Sequence, residues 1–353
     1  MNPSAPTARR SKSLSANLGF GEKLFSSASE RRFASAIEDG LEQVEKGLIA
    51  DAAFTDELAD VTTRYLLNAG GKRVRPTLTL LTAQLGDGIN EGVLGSARAI
   101  ELIHLASLYH DDVMDEALMR RGVPSAQSVW GNSVAILTGD LLFARASQLV
   151  SDKGEDAIRL QADTFERLCL GQLHETVGPR EGEDPIAHYL QVLADKTGSL
   201  IATAAEVGVM FSNAPQEYRP LVRAFGEQVG IAFQLVDDVI DLSPSAEETG
   251  KLAGTDLRAG VVTLPLLYLR KLAETDADAA ALLTRIEPGT ATDDEAELTE
   301  AIASLREHEV TTATLDEARR WANLAVASLS PLPEGPVKKA LTRFAENIVE
   351  RHG

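Results

Sequence analysis

The sequence predicts an all-α chain organised as one domain. Three observations carry that expectation. From about residue 30 onward, apolar residues recur at helical spacing almost without interruption. Strand signals are nearly absent: no Asn-Gly pair sits between alternating runs, and β-branched clusters are short. One short pattern, Asp-Asp-x-x-Asp, occurs twice inside apolar helical segments, at 111–115 and 237–241. Two copies 126 residues apart point to two facing helices rather than a solenoid.

Residues 1–20 are Ser, Ala, Pro, Asn and a few bases without an apolar period, so they read as a disordered tail ahead of a domain over 21–353. Leu102, Leu105, Leu108 and Val113 lie in one long apolar segment, bracketed by Gly86-Asp87-Gly88 and Gly122-Val123-Pro124. Further helical segments are expected at roughly 133–151, 155–174, 186–211, 216–242, 261–273, 294–306, 313–328 and 335–350. Stretch 273–300 is acidic and Ala-rich, with a Glu287-Pro288-Gly289 turn, and reads as a peripheral helix and loop. No linker divides the chain.

Composition narrows the function. The 353 residues carry 34 bases and 53 acids, a net charge of −19. That balance argues against a nucleic-acid binder, which would show a basic face. The single cysteine, Cys169, excludes an internal disulfide and points to a reducing compartment or to indifference to one; a cytoplasmic location is expected. No run of 18 apolar residues exists, so no membrane span is expected. Arg9, Arg10 and Lys12 precede no apolar stretch and do not read as a signal peptide.

The aspartate clusters are the strongest signal. On a helix Asp111 with Asp115, and Asp237 with Asp241, share a face. Like charges at that spacing repel, and an apolar setting raises the cost, so something positive must offset them. All-oxygen ligand sets suit hard cations, and Mg²⁺ in particular keeps waters and bridges to phosphates. Cations are placed to match. Gly70-Gly71-Lys72-Arg73-Val74-Arg75-Pro76 puts three after a Gly pair. Arg120-Arg121 lies just beyond the first cluster, and Lys196-Thr197 ends a helical stretch. The chain has only ten lysines, yet Lys72, Lys196 and Lys251 all lie beside glycines or near turns. Lys and Arg give charge-assisted bonds to phosphate, so the set reads as a site for two diphosphates. His104 lies two helical turns before Asp111 on the same face, where it is either structural or a donor to phosphate. The Gly70 segment is not a nucleotide P-loop, because the Gly-x-x-x-x-Gly-Lys-Ser/Thr spacing is missing.

From about residue 30 onward these residues resemble the trans (all-E) isoprenyl diphosphate synthases. The matching segments are Gly70 to Pro76, His104 through Gly122, Lys196-Thr197, Phe233-Gln234 with Asp237 to Asp241, Gly250-Lys251, and Asp256-Leu257-Arg258 leading to Thr263-Leu264-Pro265. The resemblance implies a single-domain bundle of about a dozen helices around a deep central cavity, forming a homodimer. It implies that Asp111, Asp112 and Asp115, and Asp237, Asp238 and Asp241, hold Mg²⁺, three ions to a site. Arg120, Lys196, Thr197, Gln234 and Lys251 match positions that contact the allylic diphosphate. Lys72, Arg75, His104 and Arg121 match the isopentenyl diphosphate site. Asp111, Asp115, Asp237 and Lys196 are the residues expected to matter most for turnover. The implied reaction ionises the allylic C–O bond, lets the double bond of isopentenyl diphosphate attack, and loses a proton. No protein nucleophile is required.

In the family, bulky fourth and fifth residues before the first motif limit product length. Here they are Ser107 and Ala106, both small. Small residues leave an apolar tunnel open, which favours a long product, roughly C30 to C50. Alternatives are a geranylgeranyl diphosphate synthase, a class I terpene cyclase, and a non-catalytic subunit that sets product length. A cyclase would not need Lys72, Arg75 and Arg121, and such subunits tend to lose aspartates that this chain keeps. Val261 stands where many members carry Lys, and the C-terminus is less basic than in farnesyl synthases. A long product must leave into lipid, which leaves room for peripheral membrane contact, although no amphipathic basic segment announces it.

Overall fold

A computed structural model describes residues 28–243, 253–287 and 294–350. The tail expected at 1–20, Lys251 and the Pro288-Gly289 turn lie outside the described residues. Among the described residues the structure is helical, with a single pair of two-residue strands. In order they are α1 (Ala28–Asp51), α2 (Glu57–Asn68), α3 (Val74–Ala83), α4 (Glu91–Met114), β1 (Met119–Arg120), β2 (Val123–Pro124), α5 (Ala126–Trp130), α6 (Asn132–Val150), α7 (Glu155–Val177) and α8 (Pro185–Leu193). A π-helical turn, Ala194–Gly198, joins α8 to α9 (Ser199–Phe211). Then come α10 (Tyr218–Asp241), α11 (Thr255–Arg258), α12 (Leu264–Ala273), α13 (Ala277–Ile286), α14 (Glu295–Glu307), α15 (Glu309–Ser328) and α16 (Pro336–Val349).

Short polar side chains set many helix starts, because the first N–H groups of a helix lack internal partners. Asp56 accepts from Ala59 N–H, Asn90 from Val93 N–H, Asp184 from Ile186 N–H and Asp276 from Ala279 N–H. Pro185 comes directly after its cap at the first helical position, where a missing N–H costs nothing.

The described residues cluster into two compact units. The first gathers residues up to Phe165 with Leu200–Gly226 and Leu329–Phe344. In it α4 lies along α6 and beside α1 and α3. Its interior includes Leu66, Leu78, Leu102, Leu105 and Leu142, all fully buried. Tyr109 sits among them, donating its hydroxyl to the Thr62 carbonyl and accepting the Leu66 N–H, which ties α4 to α2. Close helix approach needs small residues. A Cβ at Gly208 on α9 would overlap Thr82 Oγ1 and the Thr79 carbonyl of α3. The hydroxyl of Thr79 donates to Ala204 O at 2.8 Å across the same contact. By length and composition α6 is apolar enough to cross a membrane; it carries Asp140 and Arg145, packs on α4, and has 33% of that apolar stretch buried.

The second unit gathers Glu166–Ser199, the described part of Glu227–Ser328, and the chain from Ala345. Leu242, Leu257, Leu266, Leu269, Ile286 and Leu305 form its core, with α12 packed on α8, α13 and α15. Stretch 273–300, expected to be a peripheral helix and loop, contributes buried Ala279, Leu282 and Ile286 to that core.

Replacing Gly208 by Ala gains up to about 1 kcal/mol of helix propensity. The overlap with α3 backbone costs about 1–3 kcal/mol, so overpacking wins. Urea unfolding of Gly208→Ala is expected to show a lowered midpoint. An unchanged or raised midpoint would mean that α3 and α9 are not in backbone contact.

Candidate active site

In the first unit, α4 ends on the first aspartate cluster. Asp115 caps the helix, its N–H bonded to Asp111 O at 2.8 Å, and no base occupies the last turn. The partial negative charge of a helix C-terminus therefore adds to the carboxylates. Asp111 is half-buried and Asp115 exposed. Asp112 turns inward and is fully buried; its Oδ1 accepts from Arg120 Nε at 2.6 Å, while its Oδ2 meets no donor. Burial raises the Asp112 pKa, Asp115 adds to the rise, and Arg120 opposes it.

Arg120 and Arg121 sit on the β1–β2 hairpin, where Arg120 pairs with Val123. Its two-residue loop, Arg121-Gly122, has φ of 53° and 76°. Two positive φ values match the twist of a tight hairpin, and glycine adopts the second without strain. The turn sends Arg121 back to the Gly70 loop, where its Nη1 donates to the carbonyls of Leu66 (3.0 Å) and Gly70. Arg73 is not a free cation of that loop. It is buried and paired with Glu45 and Glu101. Lys72 is exposed, whereas the Nε of Arg75 is buried without an acceptor. Burial lowers the Arg75 pKa to about 10, with Arg121 acting in the same direction and Glu101 partly offsetting both. Arg121 is lowered likewise, by burial and by Arg73 and Arg120. His104 is pushed well below its ordinary value by burial, then by Arg75, Arg121, Arg73 and Arg120, so it is neutral at pH 7. Cations this close and this poorly compensated form an anion pocket.

Ser107 turns its hydroxyl back to the His104 carbonyl at 2.9 Å, and Ala106 is fully buried with its carbonyl against Gly139 of α6. A narrow apolar crevice, with only about 20 Å³ of open space, lies beside α4. Ala99, Ile100 and Ile103 line it with Leu160, Leu200 and Phe211. Ala106 and Ser107 are not among its lining residues. Ile103 and Ile100 lie one and two turns before Ser107, and that spacing is the signal in the sequence that locates them.

In the second unit, α10 ends on the second cluster, again with no base in its last turn. Asp237 is half-buried. Asp238 is buried, and the Tyr189 hydroxyl donates to its Oδ2 at 2.7 Å. Burial pushes the Asp238 pKa up to about 8; Asp256 and Asp237 add to the rise, and the Tyr189 hydroxyl and Leu264 N–H oppose it. Asp241 Oδ2 accepts the Asp256 N–H at 3.0 Å and its carbonyl the Gly254 N–H at 2.7 Å, so Asp241 also caps α11. Lys196 and Thr197 do not end a helix, as the sequence suggested. They lie in the π turn within the run from Pro185 to Phe211, and Lys196 Nζ is paired with Glu175. Gln234 is half-buried on α10, and Val261 is 40% exposed.

Both motifs share one layout. The middle aspartate points inward and is tied, while the outer pair stays at least partly exposed. Among the described residues no group of three or more His, Cys, Asp or Glu forms a ready metal site. Two carboxylates on a negative helix end, accessible to further oxygen ligands, fit Mg²⁺ that completes its shell with water and phosphate oxygens.

All-α folding, carboxylate-bearing helix ends and a buried arginine pocket define a class of enzymes acting on diphosphates. The chain belongs to the polyprenyl synthetase family, whose profile matches residues 56–305. It is 45% identical over 322 residues to a nonaprenyl diphosphate synthase of Mycobacterium tuberculosis, covering 91% of this chain and 95% of that protein. It superposes with a TM-score of 0.80 on a decaprenyl diphosphate synthase from Rhodobacter capsulatus, at 33% identity over 91% of this chain and 99% of that one. A geranylgeranyl pyrophosphate synthase from Corynebacterium glutamicum, complexed with calcium and isoprenyl diphosphate, gives 0.79 at 40% identity, over 93% and 99% of the two chains.

Asp238 supplies a pH test. A pKa raised on folding stabilises the protein below the unfolded pKa, and that stability is lost as pH rises through the folded value of about 8. In metal-free protein, Asp238→Asn is therefore expected to gain stability relative to wild type as pH rises from about 4 to 8. A difference in urea midpoint that stays constant with pH would contradict the buried placement of Asp238.

Proposed function

We propose that this protein is a trans-prenyltransferase that condenses isopentenyl diphosphate with an allylic diphosphate to give long-chain all-E polyprenyl diphosphates. The observation that carries this reading lies on one helix. Asp111 and Asp115 end α4, and His104 sits among Arg75 and Arg121 seven residues earlier, about 10 Å along the axis. A carboxylate end suited to a metal-bound diphosphate thus stands one diphosphate's reach from an arginine pocket suited to a second.

Asp111 and Asp115 of the first unit would hold Mg²⁺, as would Asp237 of the second, and Mg²⁺ when bound neutralises the departing diphosphate. Asp112 and Asp238 hold the two helix ends in place. Arg75, Arg121 and exposed Lys72 grip the diphosphate of isopentenyl diphosphate, while neutral His104 donates one hydrogen bond without adding charge. Lys196 and Thr197 face the allylic diphosphate, with Gln234. Arg120 keeps Asp112 paired and offers its remaining N–H groups to an allylic diphosphate. The allylic C–O bond breaks, the isopentenyl double bond attacks the allylic carbon, and the adjacent proton leaves. Buried apolar walls keep water from the cation.

The growing tail would have to part the walls of this narrow crevice at Ile103 and Ile100. Each buried CH₂ adds about 0.8 kcal/mol, which favours repeated extension. The long-chain relatives support this over a C20 product. Residues 21–353 act as one catalytic domain, a reading supported by the unbroken family match across both units. Exposed Leu118, Met119, Ile136 and Leu137 of the first unit favour a homodimer.

Purified protein with Mg²⁺, farnesyl diphosphate and labelled isopentenyl diphosphate is expected to yield chains of C30 or longer, and Ile103→Trp to shorten them. Wild-type product that stops at C20 would refute the long-chain reading. Turnover of no allylic primer would refute the enzyme reading in favour of a subunit role.

A further inference from the structure

Arg167 on α7 is gripped from three directions. Its Nε donates to Asp195 Oδ1 at 2.7 Å, its Nη1 to Glu227 Oε2 at 2.6 Å and its Nη2 to the Ala194 carbonyl at 3.4 Å. Ala194 and Asp195 open the π turn, and Glu227 lies on α10 ten residues before Asp237. Gln191 Nε2 donates to the other Asp195 oxygen at 2.8 Å. Burial alone would lower the Arg167 pKa, but Glu227 and Asp195 raise it on balance, so the guanidinium stays charged.

The same face of α7 continues at Gly171 and Glu175, one and two turns on. A Cβ on Gly171 would come within 2.6 Å of Lys196 N and 3.0 Å of Lys196 Cα, so only glycine admits the turn this closely. Glu175 pairs with Lys196 Nζ. Gly198, at the other end of the turn, packs 3.0 Å from the Glu227 carbonyl by the same measure. A π turn inserts one residue and rotates the downstream residues by about 100° relative to a regular helix. That rotation decides which way Lys196 and Thr197 point. Such a turn has weaker internal bonding than α-helix and persists where its surroundings fix it.

We propose that Arg167 is a positioning residue: with Asp195 and Glu227 it locks the π turn that presents Lys196 and Thr197, and couples that turn to the helix carrying the second aspartate motif. This rests on the reading of Lys196 and Thr197 as contacts of the allylic diphosphate. Residue 167 touches no substrate in this scheme and acts only through the turn.

The test combines steady-state kinetics with hydrogen exchange on the full-length enzyme and Mg²⁺. Arg167→Gln is expected to raise KM for farnesyl diphosphate or lower kcat by tenfold or more, with KM for isopentenyl diphosphate within twofold of wild type. In a Lys196→Ala background the same change is expected to cost less than threefold, because the charged one of the two groups it positions is gone. Amides of residues 195–199 are expected to exchange faster in Arg167→Gln, while those of α12 and α13 do not. Fully multiplicative losses in the double variant, equal rises in both KM values, or unchanged exchange in the turn would each overturn the positioning role. Should Arg167→Gln not fold, Glu227→Gln removes one anchor, and the same selective loss at threefold or more is expected; no loss overturns the proposal. Wild type that turns over no allylic diphosphate would refute the functional reading instead, and the exchange data would still decide whether Arg167 locks the turn.

Discussion

The structure depends on two helices that end on clustered carboxylates. Most helices of the second unit close with a base: Arg258 on α11, Arg270 and Lys271 on α12, Arg285 on α13 and Arg306 on α14. Such bases offset the helix dipole by about 0.3–1 kcal/mol each. The last turns of α4 and α10 carry none and gather aspartates instead. Each end therefore stores repulsion that an added cation relieves. A metal bridging carboxylate and diphosphate relieves it on both sides, which makes metal and substrate binding one event.

The neighbouring groups keep those ends from rearranging. Asp112 and Asp238 are buried under Arg120 and Tyr189, so the chain direction is fixed while the outer aspartates stay accessible. Arg75 and Arg121 hold the opposite imbalance, positive charge with few acceptors, two turns back along α4. Neutral His104 between them limits the repulsion while retaining a donor. One helix thus carries a site short of cations and a site short of anions. A substrate pair with two diphosphates and a metal corrects both.

Much of this was legible in the sequence, because it rests on local spacing. Helical periodicity located α6, α7 and α10 to within a few residues, and the repeated Asp-Asp-x-x-Asp marked the ends of α4 and α10. The features that stayed hidden depend on partners far apart in the chain. Arg73 read as one of three loop cations, yet Glu45 and Glu101 fold over it. Middle and outer aspartates looked alike until burial separated them. The helical run through 186–211 was clear, but not its π turn, which Arg167 fixes through a carboxylate 60 residues away. Ile103 and Ile100 line the narrow crevice beside α4 together with Leu160 and Leu200, partners that local spacing does not reveal.

The most direct measurement is thermal unfolding with Mg²⁺ and a non-ionising allylic thiodiphosphate, added singly and together. A ligand that binds only the folded state raises its stability, by about 2.7 kcal/mol at a hundredfold excess over Kd. If each carboxylate end holds diphosphate through a bound metal, the pair together raises the melting temperature by several degrees. Either alone does little, and Asp111→Asn or Asp237→Asn abolishes the joint shift. A full shift from Mg²⁺ alone, or one from the thiodiphosphate that survives both substitutions and chelation, would contradict it.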